Sequence, residues 1–161
     1  MNLNEQIKPF HVIAPADHNA AGIDSRSINV STMHHLTFVV SFGELDGNSV
    51  LKLKTGATSG TKTADNLFKY RLSTGIITAS NSDKYGDLTT LAVATDGLTL
   101  TAATYQNKTL VIEVDPDALP AGQPWVTLEI SDVATELLVS AVAMGTPRYT
   151  GKDMPTAVST V

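Results

Sequence analysis

His35-Leu36-Thr37-Phe38-Val39-Val40-Ser41-Phe42 sets Leu36, Phe38, Val40 and Phe42 on one side of an extended chain. Side chains in a strand alternate between faces, so four large apolar residues at a period of two mark a strand with one face in a core. The next segment repeats the logic. Gly43–Asn48 reads as a turn, with Asp46-Gly47 a hairpin signal, and Val50-Leu51-Lys52-Leu53-Lys54 alternates leucine with lysine.

Further strand signals follow at short spacing: Leu67–Leu72, a weak Ile76–Ala79, then Leu91–Ala94 and Leu98–Ala102 around Asp96-Gly97. Thr109–Val114 and Trp125–Ile130 are rich in β-branched residues, and Leu137–Met144 reads as buried on both faces. Asp115-Pro116-Asp117-Ala118-Leu119 offers a helix cap and a Pro at the first helical position, stopped by Pro120 and Gly122. The pattern predicts an all-β fold: an antiparallel sandwich or barrel of about eight short strands with one short helical turn.

Residues 1–30 sustain no period. Pro9, Pro15 and Gly22 interrupt them, and Phe10, Val12 and Ile13 are their apolar anchors. This segment is expected to be an extended N-terminal arm, followed by a sandwich domain over 31–150 and a surface tail over 151–161. On that expectation, deleting residues 1–14 would leave the fold intact and weaken attachment to a partner.

With 161 residues the chain suits one domain, large enough to bury roughly 70% of its unfolded surface. It has no cysteine, so neither disulfides nor thiolate metal sites contribute. Only 17% of residues are charged and the net charge is −5, which leaves a surface built mainly of Thr, Ser, Asn and Gly. An acidic chain without a basic cluster argues against nucleic acid as a partner. Met1–Phe10 has one Lys and no apolar run, and Leu137–Met144 is too short to cross a bilayer. No secretory signal and no membrane partner are expected, with synthesis in a host cytoplasm.

Motifs that could carry chemistry lose to structural readings. His34 and His35 are adjacent, so in a strand they point to opposite faces and do not share an ion. His11 and His18 near Asp17 match no metal-site spacing. Gly56–Thr63 approaches a phosphate-binding loop, but Thr61 precedes Lys62 and a strand pattern follows, so a hairpin loop is expected. No Ser stands in a nucleophile elbow, and the aspartates fall in turns. Trp125 heads an apolar strand, which favours packing over a sugar platform. No catalytic residue, metal or cofactor is expected. Phe68-Lys69-Tyr70-Arg71 and Arg148-Tyr149 mix aromatic and basic residues in the manner of protein interfaces.

Four segments, taken in order, resemble a group of small structural proteins of tailed bacteriophages: Thr37–Gly43, Phe68–Arg71, Leu110–Leu119, and Pro147-Arg148-Tyr149 before Met154-Pro155-Thr156-Ala157. The resemblance covers roughly residues 12–158. It implies a non-enzymatic decoration or minor capsid protein on the outer head surface of the virion, with the major capsid protein as partner. A homo-oligomer is expected, a trimer by analogy with the threefold sites of icosahedral shells. The expected contact residues are Phe10, Val12, Ile13, Tyr70, Arg71, Arg148 and Tyr149. A tail-tube or tail-completion protein, and a carbohydrate-binding sandwich displayed on the virion, are the competing readings.

Overall fold

The computed structural model describes residues 6–18, 22–131, 136–149 and 156–159. The first five residues of the expected arm, and residues 151–155, 160 and 161 of the expected tail, lie outside the described residues.

The chain is an all-β sandwich of two antiparallel sheets. Sheet A contains β1 (Lys8–Asp17), β4 (Met33–Asp46), β7 (Lys69–Leu72), β8 (Thr89–Thr90), β10 (Thr109–Val114) and β12 (Glu136–Pro147). Their order across the sheet is β1-β12-β4-β10-β7-β8. Sheet B is built on the central pair β5 (Asn48–Gly56) and β11 (Trp125–Ile130). The short strands β2 (Ile23–Asp24) and β3 (Ile28–Asn29) flank β11, while β6 (Ala64–Asn66) and β9 (Leu98–Thr101) flank β5. A four-residue helix, α1 (Ala102–Tyr105), and a 3₁₀ turn over Pro116–Ala118 complete the described elements.

The core is the interleaving of the two inner faces. Leu36, Phe38, Val40 and Phe42 of β4 are fully or almost fully buried, as their spacing predicts. Leu110 and Ile112 of β10 lie beside them, and Leu51, Leu53, Leu128 and Ile130 come from sheet B. Each such side chain contributes about 1.5–3 kcal/mol on burial. Buried polar groups are matched: Ser27 and Thr127 hydroxyls lie 2.8 Å apart, and Asn66 Nδ2 donates to Thr55 Oγ1, which donates to Gln123 Oε1. At the 3₁₀ turn the Asp115 side chain accepts from the Asp117 N–H at 3.0 Å, the cap read from the sequence.

Several expectations are corrected. Residues 8–17 of the expected arm form β1, which pairs along its length with β12. Phe10, Val12 and Ile13 are buried in the core and cannot serve as contact anchors. Two register shifts, between His11 and Ile13 and between Ile13 and Ala16, break the alternation that would have marked the strand. The described part of the tail also packs: Ala157 is buried, the Asn29 N–H donates to its carbonyl, and Val158 bridges Ile28. Among the described residues twelve strands are present, several of only two or three residues, and β4 and β12 are long.

Asp46-Gly47 is a corner that passes the chain from sheet A to sheet B, not a hairpin, and Gly47 has φ +88°. Asp96-Gly97 likewise links β8 of sheet A to β9 of sheet B, and Leu91–Ala94 and Ile76–Ala79 are turns and loop. β12 is buried on one face only. Gly56–Thr63 is the β5–β6 hairpin loop, as expected.

Candidate functional site

The two outer faces of the sandwich differ in chemistry. On sheet B, register places Lys54 opposite Asp65, and Glu129 between Lys52 and Asp24. These charges satisfy one another. Lys54 and Lys52 both pair with Asp65, and Lys62, from the hairpin loop, reaches Asp24 at 2.8 Å and Glu129 at 2.7 Å. The hydrogen bonds that Lys62 donates to the Asp24 and Glu129 carboxylates hold its ammonium above its ordinary pKa. Such a network suits water.

Sheet A turns a different surface outward. Its cross-strand register lines up His11, Val142, Val39, Val111 and Arg71 in one row. The next row is Pro9, Met144, Thr37, Glu113 and Lys69, and on the other side Ser140, Ser41 and Thr109 are aligned. The centre is therefore valine, methionine and hydroxyls, with basic residues at the β7 border. Among the described residues no ion pair joins the side chains of these rows. Val39, Val111, Val142 and Met144 are half-buried against one another.

At one end this face runs into an apolar groove of about 290 Å³ lined by Pro15, Ala16, Ile77 and Leu138. Ile77 is 57% exposed and Leu138 46%. The groove forms where β4 carries Gly43: a side chain there would meet Leu138 Cδ2 at 2.7 Å.

At the opposite end lies a larger groove of about 690 Å³, where the chain crosses from β6 to β7. Phe68, Val114 and Leu119 floor it, and His34, His35, Lys69 and Glu113 rim it. His34 and His35 are both among the residues that line this groove, at a point where the strand pairing is irregular. There β12 advances one residue, from Thr146 to Pro147, while β4 advances two, from His35 to Met33. Among the described residues no group of three or more His, Asp or Glu is placed to hold a metal ion. His11 and Asp17 are both exposed on β1, and His18 Nε2 lies 3.2 Å from the Ala14 carbonyl oxygen.

The remaining expected contact residues divide. Arg71 is exposed on the outer face of sheet A, whereas Tyr70 points inward, its ring centroid 6.1 Å from that of Phe68. Arg148 is engaged within the chain: Nη2 lies 2.5 Å from Asp117 Oδ1 and Nε donates to the Met33 carbonyl at 3.2 Å. Tyr149 beside it is 82% exposed. Trp125 is half-buried on β11, paired with Gly56 and Asn29, so it is neither a core residue nor an open platform.

The outward row Val39, Val111 and Val142 was not singled out from the sequence. Its signal is present: each valine stands between two inward apolar residues, so the outward position is apolar as well.

No protein-family model matches the chain, and no curated protein matches it. Among solved structures, the SPBc2 prophage-derived protein YomS is similar, at 15% sequence identity and a TM-score of 0.44. The match covers 86% of this chain and 91% of that one. That likeness is too loose to assign a function. Among the described residues no helix is long and apolar enough to cross a membrane.

Proposed function

We propose that this chain is a non-enzymatic structural protein of a tailed-phage virion, a decoration or minor capsid protein that binds and stabilises the outer head surface. The major capsid protein is its partner, and it acts as a homo-oligomer. The sequence resemblance supplies the phage setting. The observation that carries the adhesive role is the contrast between a self-paired charged face on sheet B and a face on sheet A whose middle is Val, Met, Ser and Thr, with Glu113, Lys69 and Arg71 towards its β10–β7 side.

Water tolerates the first face at little cost. The second gains by being covered along its β12–β4 centre, where Val39, Val142 and Met144 remove apolar area from water and carry no charge. Binding of this kind stabilises a shell by mass action, with no chemical step.

The size of the face argues for several copies acting together. Five strands about 4.8 Å apart, each giving about six residues at 3.4 Å, make a patch on the order of 500 Å². A stable contact covers about 800 Å² per partner. One copy falls short, and linked copies on one shell compensate through effective concentration.

The test is a charge placed in the middle of the face. Val111→Glu, with its side chain on the outer surface, keeps the melting temperature within a few degrees. Its occupancy on purified capsids falls at least tenfold. Undiminished occupancy would remove sheet A from the attachment surface and the reading with it.

A further inference from the structure

We propose that the end groove between β4, β7 and the 3₁₀ turn is a binding site for a carboxylate carried next to an apolar group. The chemistry would be supplied by an acidic, apolar polypeptide segment or by a free short-chain acid. It shares Lys69 and Glu113 with the edge of the sheet A face described above and otherwise rests on the groove's own residues.

The groove is a consequence of topology. β6 ends sheet B at Asn66 and β7 begins sheet A at Lys69, so Leu67 and Phe68 cross the open end of the sandwich. The Leu91 N–H donates to the Phe68 carbonyl at 3.0 Å and straps the following turn along one side. The 3₁₀ turn, fixed by its Asp115 cap, forms the other side. At about 690 Å³ the space lies within the range of small-ligand sites, roughly 300–1,000 Å³.

Its lining is apolar below and polar above. Phe68 and Val114 are buried beneath it, and Leu67 stands at its edge 54% exposed. A large apolar side chain left in water at the lip of a concave site gains by contact with an apolar ligand.

The rim determines the sign. Two of its acids are already used within the chain: Asp65 by Lys54 and Lys52, and Asp115 by the Asp117 N–H. The side chains of Lys69, His34, His35 and Glu113 make no hydrogen bond or ion pair among the described residues. Lys69 and Glu113 are register partners on adjacent strands, yet no ion pair joins them. The uncommitted groups are thus an ammonium and two imidazoles, which even when neutral each present one N–H, against a single carboxylate. The surplus of donors over an apolar floor fits an anion with an apolar neighbour, because a charge-assisted hydrogen bond to a carboxylate is about twice as strong as a neutral one.

The experiment is an NMR titration of the full-length ¹⁵N-labelled chain with three probes: hexanoate, hexanol and the peptide acetyl-Leu-Asp-Leu-amide. Hexanoate and the peptide should shift the amides of Phe68, Lys69 and Leu119, with hexanol at least tenfold weaker. Lys69→Gln, an exposed substitution that leaves the core untouched, should weaken both anions about tenfold. Leu67→Asp, also exposed, should weaken them further. A peptide that binds more tightly than hexanoate assigns the site to a polypeptide partner, and the reverse order assigns it to a free acid. Absence of shifts at millimolar concentrations, hexanol equal to hexanoate, or affinities indifferent to Lys69→Gln would each overturn the proposal.

Discussion

Tyr105 closes α1 and sets its ring edge-on to Phe42, with centroids 6.1 Å apart. Burial, aided by the nearby Tyr70, pushes its phenol up to about 12, from an ordinary value near 10. The fold therefore holds the proton that the unfolded chain releases first as pH rises. Stability is complete below pH 10 and drains away between about pH 10 and 12, by on the order of 2 kcal/mol. Lys62, its pKa also raised, loses its contribution over a similar alkaline window as its ammonium discharges. Comparing alkaline unfolding of Tyr105→Phe and Lys62→Gln with the parent separates the two. The Phe variant should flatten the loss above pH 10, and an unchanged profile would mean the phenol ionises freely in the fold. A second residue-scale expectation concerns Gly97, at φ +71°, where an added Cβ would lie 2.8 Å from the Leu51 carbonyl oxygen. Left-handed backbone costs a non-glycine residue about 1–2 kcal/mol, and the obstacle here includes main chain. Gly97→Ala should lower stability by about 2 kcal/mol or more in urea unfolding, whereas Gly60→Ala, open to solvent, pays only the backbone cost.

At the scale of elements, β1 decides how the N-terminal region behaves. Phe10 lies over Gly145, where an added Cβ would meet the Phe10 ring at 3.2 Å and Met33 Sδ at 2.7 Å. The glycine's missing side chain is the space the ring fills. Phe10→Ala should cost about 3–5 kcal/mol, read as a fall in the urea midpoint. Deletion of residues 1–14 should therefore unfold the domain instead of merely loosening it from a partner. If that deletion left a cooperative transition at the parent midpoint, β1 would not be part of the core. The contrast with β4 shows what sequence can convey. β10 and β5 alternate cleanly, as does β4 from Leu36 to Phe42, because each runs there through the sandwich with one face buried. β1 does not, because two bulges change which residues face inward and two prolines imitate a loop. The sheet-switching corners at Gly47 and Gly97 carry the same local signals as hairpins, and which sheet receives the next strand is settled by pairing with residues far along the chain. The end groove was illegible for the same reason. Its two histidines sit at an irregularity in the pairing with β12, more than a hundred residues away.

For the whole molecule, the difference between its faces fixes an orientation. If sheet A is covered on the virion and sheet B is wet, the two must differ in chemical accessibility once the protein is bound. The absence of cysteine makes this measurable, since any introduced thiol is unique. Val111→Cys places one on the outer face of sheet A, in the row with Val39 and Val142. Thr99→Cys places one on β9, exposed on the sheet B side between the buried Leu98 and Leu100. In the free protein both should react with a small maleimide, the half-buried Val111 site more slowly. On capsids the rate at position 99 should be unchanged and that at position 111 should fall at least tenfold, because covering protein excludes the reagent. Equal protection at both positions would describe a chain embedded between neighbours on both sides, with its charged network desolvated. Burying four ion pairs of that kind is costly unless the partner supplies matching hydrogen bonds. The sheet B pairs are arranged to satisfy one another, which favours water over a partner on that side. A one-sided footprint is thus what the distribution of charge demands of any surface this chain adheres to.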